Sequence, residues 1–204
     1  MKLARLLQLA SPTLPIGAYS YSQGLEAAVE AGIVHDGASA ERWIGDVLEL
    51  SIARMEAQVL LRQLEEPSQA LNDFFLATRE TAELRAETLQ MGHSLKKLLA
   101  ELGVAVPIEE PALPSAFACA VRAWGIDQRE ALVAYLWSWL ENQVMAAVKI
   151  VPLGQTAGQK ILLSLGARLE ATAARDEAEW SNFSPGLAFL SSRHETQYSR
   201  LFRS

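Results

Sequence analysis

The run from Leu132 to Leu165, LVAYLWSWLENQVMAAVKIVPLGQTAGQKILLSL, limits what this chain can fold into. Its first part, Leu132 to Ile150, is apolar nearly all round, broken only by Ser138, Glu141, Asn142, Gln143 and Lys149. A helix apolar on every side lies inside a globule or in a membrane. A membrane span wants about 20 apolar residues with few charges. Glu141 and Lys149 interrupt the run too often for that, so it predicts a central, buried helix. Pro152 cannot continue it, and Gly154 lets the chain turn. A second helix is expected from about Gln155 to Leu169, apolar at Ile161, Leu162, Leu165 and Leu169. The rest of the chain must then wrap this pair.

A chain of 204 residues, 50% of them hydrophobic, has enough apolar surface for one domain with a full core. That share is too high for disorder. The formal net charge of -6 argues against a nucleic-acid surface, which is usually basic. Cys119 is the single cysteine, so no internal disulfide can form. The start, MKLARLLQLASPT, lacks the long apolar region of a signal peptide, and a cytoplasmic location is expected. No stretch alternates with period 2. The fold class is therefore all-α, a single-domain helical bundle around a central buried helix pair spanning residues 1–204.

Leu3, Leu6, Leu7 and Leu9 mark a short amphipathic helix that Ser11-Pro12 ends. SPTLPIGAYSYSQG follows, the most irregular stretch of the chain. It reads either as a tight helix connection or as a binding loop displaying Tyr19 and Tyr21. Gly24 to Ala31 is helical and closed by Gly32. Ser39 is expected to cap a longer helix carrying Trp43, Val47, Leu50, Arg54 and Leu61, ended by Pro67. Gln69 to Leu102 is helical in pattern, broken near Thr78 or Thr81, with Leu71, Phe74, Phe75 and Leu84 as its buried stripe. RETAELRAE, Arg79 to Glu87, is charged on several faces. It reads either as a solvated face with an Arg79–Glu83 attraction or as a partner-facing patch.

Pro107, Pro111 and Pro114 make a loop of Gly103 to Pro114, and Ser115 to Trp124 is a small-residue helix able to pack closely. Asp127 caps the central helix, with Glu130 completing a capping box. After Leu169 the chain turns polar at Glu170, Arg175, Asp176, Glu177 and Glu179. A turn is expected at Ser184-Pro185-Gly186. The last stretch, LAFLSSRHETQYSRLFRS, sets Arg193, His194, Glu195, Tyr198, Arg200 and Arg203 beside Leu201 and Phe202. It suits a docking tail at about residues 191–204. Such a tail is too short to bury its apolar groups alone, so it is expected to order against a partner or a second copy.

Motifs for catalysis are weak. GQTAGQK, Gly154 to Lys160, falls short of a phosphate loop in spacing, lacks Ser or Thr after the lysine and follows no strand. His35, His93 and His194 are far apart, with no metal-ligand spacing. Cys119 sits among small apolar residues, as a packed thiol does. The residues alone favour a binding or scaffold protein over an enzyme.

Four blocks then carry a resemblance. They are LASPTLPIGAYSYSQGLEAAVEAG from Leu9, RETAELRAE from Arg79, ENQVMAAVKIVPLGQTAGQKIL from Glu141 and SSRHETQYSRLF from Ser191. In order and from end to end, they resemble the urease accessory protein F family, UreF. The segment from Pro107 to Trp124 matches only loosely. The resemblance implies an all-helical, non-catalytic, dimeric and cytoplasmic scaffold. Such a protein binds urease accessory protein D (H in some systems). The pair recruits the GTPase accessory protein G and docks on apo-urease for nickel insertion. Nickel would be handled by the assembled complex, with no tightly bound cofactor in this chain. The alternative is a GTPase-activating protein acting in trans on the G protein. By resemblance the functional residues are Tyr19, Lys149 and Arg200. Around them, Ser20, Arg193, His194, Glu195, Tyr198, Ser199 and Leu201 are expected to contact a partner. Neither nucleic acid nor membrane is an expected partner.

Overall fold

Caps, prolines and glycines divide the chain into helices. The computed structural model describes residues 1–175 and 180–204, and every regular element among them is helical. Asp176, Glu177 and Glu179, expected in a polar stretch, lie outside the described residues. Helix α1 (Lys2–Ala10) leads into the loop at residues 11–24, which holds one 3-10 turn (Ala18–Ser20), and then α2 (Leu25–Glu30). Helix α3 (Gly37–Val47) passes through a wide π-type segment (Leu48–Glu56) into α4 (Ala57–Glu65). Then come α5 (Gln69–Ala77), α6 (Ala82–Glu101), α7 (Leu113–Trp124), α8 (Gln128–Ile150), α9 (Gln155–Gly166), α10 (Leu169–Ala173) and α11 (Pro185–His194).

Local chemistry explains most of these boundaries. Gly32 follows α2 with φ of 72°, a left-handed conformation that favours glycine. Thr81 caps α6 by accepting from the Leu84 amide at 3.2 Å, placing the expected break between Thr78 and Thr81. At α8 the Asp127 half of the expected box is formed, its carboxylate accepting from Arg129 N and Glu130 N. Ser39 is not the cap of α3. That role belongs to Asp36, whose carboxylate accepts from Ser39 N at 2.8 Å while Ser39 Oγ accepts from Asp36 N at 3.0 Å. Serine thus takes the third position of the box, where glutamate or glutamine is usual. The long helix after it is not uniform either. The π-type segment changes the residue spacing, so Ser51 and Ile52 face the core and Leu50 stays 44% exposed.

Helix α8 is the hub, packed against α1, α2, α3, α4, α9 and α10. It is not the most enclosed element, however, because Trp137, Met145 and Lys149 form an exposed strip. The unbroken buried run is in α7, from Pro114 to Val121. Ser115, Ala116, Ala118, Cys119 and Ala120 project so little that α4 and α6 close on α7. Cys119 is buried there, and burial raises its thiol pKa. The second helix of the expected pair stops at Gly166, and Leu169 begins α10; Ile161, Leu162, Leu165 and Leu169 are all buried. In the stripe expected for α5 and α6, Phe75 and Leu84 are fully buried while Phe74 is 46% exposed.

The proline-rich segment before α7 lies directly on α6. A Cβ at Gly92 would stand 1.9 Å from the Pro111 carbonyl oxygen, so the backbones meet where only glycine fits. Lys96 Nζ donates to the carbonyls of Ile108 and Glu109 at 2.5 and 2.9 Å. Asn72 donates to Glu110 O and accepts from Ala112 N. These bonds leave the irregular backbone satisfied.

Candidate partner-docking site

Helix α11 begins at Pro185, which suits a first helical turn, and lies along α2 and α6. After His194 the chain folds back over its own body. The Arg203 amide donates to Ser20 O at 2.7 Å, and the amide and hydroxyl of Ser22 donate to Ser204 O at 2.7 and 2.6 Å. The Glu26 carboxylate accepts from the amides of Leu201 and Phe202 at 2.7 and 2.9 Å. Phe202 is buried, with the Lys149 ammonium 4.8 Å from its ring centroid.

The tail therefore does bury its apolar anchor without a partner, contrary to the sequence expectation. Glu26 makes this possible by satisfying amides that a short tail would otherwise leave to water. The sequence reads α2 only as a short helix closed by Gly32, and nothing in it marks Glu26 as an inward residue.

RETAELRAE is likewise not a solvated face. Arg79 does not pair with Glu83; its side chain is 4% exposed and lies 3.6 Å from Glu56. Glu83 turns to the tail instead, accepting from Arg200 Nη1 at 2.8 Å and facing His194 Nδ1 at 2.7 Å. Glu87 is buried and accepts from Gln23 Nε2 at 2.7 Å and Ser204 Oγ at 2.8 Å. Burial pushes its carboxyl up to about 7, against the lowering effect of those two donors and of Arg79. Gln23 also accepts from Trp139 Nε1 at 2.7 Å. These bonds hold Gln23 at φ of 52°, a conformation that costs energy for a residue with a side chain. Tyr135 OH donates to Glu56, and its own pKa is raised by burial and by that carboxylate. Tyr21 is raised by burial as well, with Arg203 opposing.

Beneath the 11–19 loop lies a cavity of about 270 Å³. Leu14, Ile16 and Met91 contribute apolar lining, and Gln23, Glu56, Glu87, Tyr135, Ser138, Glu141 and Asn142 contribute polar lining. The Glu56 and Glu87 oxygens are engaged by the donors named above. Among the described residues no group of three or more His, Cys, Asp or Glu is placed to hold a metal ion. No helix among them is long and apolar enough to cross a membrane.

The residues expected at the site are brought together only in part. Tyr19 is 72% exposed on the loop, and the next residue, Ser20, accepts from the tail at Arg203. Lys149 joins from the end of α8 through Phe202. Arg200, Tyr198, Ser199 and Leu201 are exposed on the outer side of the tail, with Arg200 held by Glu83. Arg193 is exposed over the Phe189 ring. Glu195 accepts from Ala82 N, binding the end of α11 to the start of α6. His194 is completely buried between Glu26 and Glu83 and cannot touch a partner in this conformation. Sequence reasoning missed Glu26, Glu83, Glu87 and Gln23 as the residues that seat the tail. The available signal was two acids four apart on α6, which repel unless something basic or donating covers them.

A family model described as UreF matches residues 34–166. A "Urease accessory protein UreF" from Azoarcus sp. (strain BH72) is 57% identical over 225 aligned residues, covering 100% of this chain and 96% of the relative. Another of the same name from Dechloromonas aromatica (strain RCB) is 51% identical, covering 100% and 98%. A third, from Methylobacillus flagellatus, is 52% identical, covering 99% and 97%. With the match running through the loop, the hub helix and the tail alike, this chain belongs to the UreF family.

Proposed function

We propose that this chain is a urease accessory protein that works without catalysis. It is a scaffold that binds accessory protein D/H, recruits the GTPase accessory protein G and helps deliver nickel to apo-urease. Nickel is cargo of the assembled complex in this reading, and the scaffold works in the cytoplasm as a homodimer. The observation that carries it is the composite surface made by the tail. Residues 200–204 join the loop at Tyr19 and Ser20 to Lys149 at the end of α8. That surface displays Tyr19, Tyr198, Leu201, Arg193, Arg200 and Arg203 on a chain of net charge -6. Exposed aromatic and arginine side chains are common interface anchors.

The test is a pull-down of accessory protein G by the pair of accessory protein D and this chain, at equal folded concentration. Arg200→Lys should lose most recruitment, since lysine keeps the charge but not the planar fork. Removing Tyr198 to Ser204 should abolish it. Undiminished recruitment by the truncated chain would falsify the docking role. The trans-acting GTPase-activator alternative is less favoured, because the Arg200 guanidinium is engaged by Glu83. A rise in GTP turnover by G on adding this chain, lost in Arg200→Lys, would reverse that preference.

A further inference from the structure

We propose that Glu26, His194 and Glu83 are positioning residues of the docking surface. They form a buried carboxylate–imidazole–carboxylate clamp, closed when the imidazole carries protons on both nitrogens, which fixes Arg200 and the backbone of Leu201 and Phe202. The proposal rests on the docking reading above.

His194 Nδ1 lies 2.7 Å from Glu83 Oε2, and its Nε2 lies 3.2 Å from Glu26 Oε2. A neutral imidazole has one N–H and one lone pair, so it can donate to only one of two ionised carboxylates. The lone pair would then point at the second anion inside a region with little water to screen it. The imidazolium donates to both. The same carboxylates grip the tail. Glu83 Oε1 takes Arg200, Glu26 Oε1 takes the Leu201 amide, and Glu26 Oε2 also takes the Phe202 amide. Two anions thus meet two cations, His194 and Arg200, and the group is neutral as a whole.

The charged groups around the ring come from each element packed on it. Helix α2 supplies Glu26 and α6 supplies Glu83, and Arg200 comes from the tail by way of Glu83. On its own helix and just beyond, Arg193 lies over Phe189 and Glu195 is spent on Ala82 N. Removing the ring proton leaves two anions against one guanidinium. It also takes the donor from one of the carboxylates, so the grip on the tail loosens. Loss of that proton therefore releases the tail.

The test uses the full chain and amide hydrogen exchange read residue by residue. In Glu26→Gln, Glu83→Gln and His194→Gln, protection of the Leu201 and Phe202 amides should fall at least tenfold while that of α7 is kept. In the parent chain, raising the pH should lower protection of the two amides relative to that of α7. That loss should be smaller in His194→Gln. If His194→Gln does not fold, the two carboxylate variants and the pH series decide. Unchanged protection in those variants, or a flat pH series, overturns the clamp. Recruitment of accessory protein G should fall with protection. Loosened amides with full recruitment would overturn the positioning role. Full recruitment by the chain truncated before Tyr198 would instead sink the docking reading itself.

Discussion

Along α6, the half from Ala82 to Met91 and the half from Gly92 to Glu101 bury themselves by different means. The second half meets α7 and its leading loop through a missing side chain, Gly92, and through the fully buried Leu95 and Leu99. The first half buries Glu87 and most of Glu83, with Thr88 between α6 and the α7 start. Packing by shape depends on volume and little on pH. Packing by carboxylates depends on each donor being in place and on protonation state. The half that holds the tail is therefore the one that solution conditions can adjust.

Predictions follow this contrast. The largest stability effect belongs to the shape-packed half. Gly92→Ala must push Pro111 backbone aside, and should cost about 4 kcal/mol. Urea denaturation measures it, and a loss under about 1 kcal/mol would show that the two segments separate easily. Next comes the pH dependence of the carboxylate half. Glu87 has an ordinary value of 4.5, while in the fold burial holds it at about 7. Folding then takes up a proton between those values, so this group's stabilisation is full below 4.5 and lost as pH rises to about 7. The effect is on the order of 3 kcal/mol. Comparing denaturation at pH 5 and pH 8, Glu87→Gln should flatten this part of the slope. An unaltered slope would move the effect to another group.

Smaller effects sharpen the comparison further. Tyr135→Phe takes a donor from the buried Glu56 carboxylate and should cost about 2 kcal/mol by thermal or chemical melting. A neutral result would mean that water or Arg79 replaces the phenol. Smallest is Tyr19→Ala. At 72% exposure Tyr19 supports little of the core, and stability should change by less than about 0.5 kcal/mol. Binding to the accessory partner, measured per folded molecule, should weaken clearly. The opposite outcome, a large drop in melting temperature with binding intact, would assign Tyr19 to packing.

What could be read from the sequence alone was local. The helical period of Ile161, Leu162 and Leu165, the cap at Asp127, the break before Ala82 and the stop at Pro67 act within one or two turns of chain. The four blocks carrying the family resemblance are linear as well. Tertiary structure decided which charges go inside. Glu26 meets Leu201 and Phe202, Glu83 meets Arg200, and Glu87 meets Ser204, each more than a hundred residues away along the chain. It also chose α7 over α8 as the enclosed helix, because enclosure depends on how near the neighbours can approach as well as on hydrophobicity. A periodic pattern records which side of a helix is apolar. Whether an acid on the other side meets water or a donor depends on what the fold lays over it.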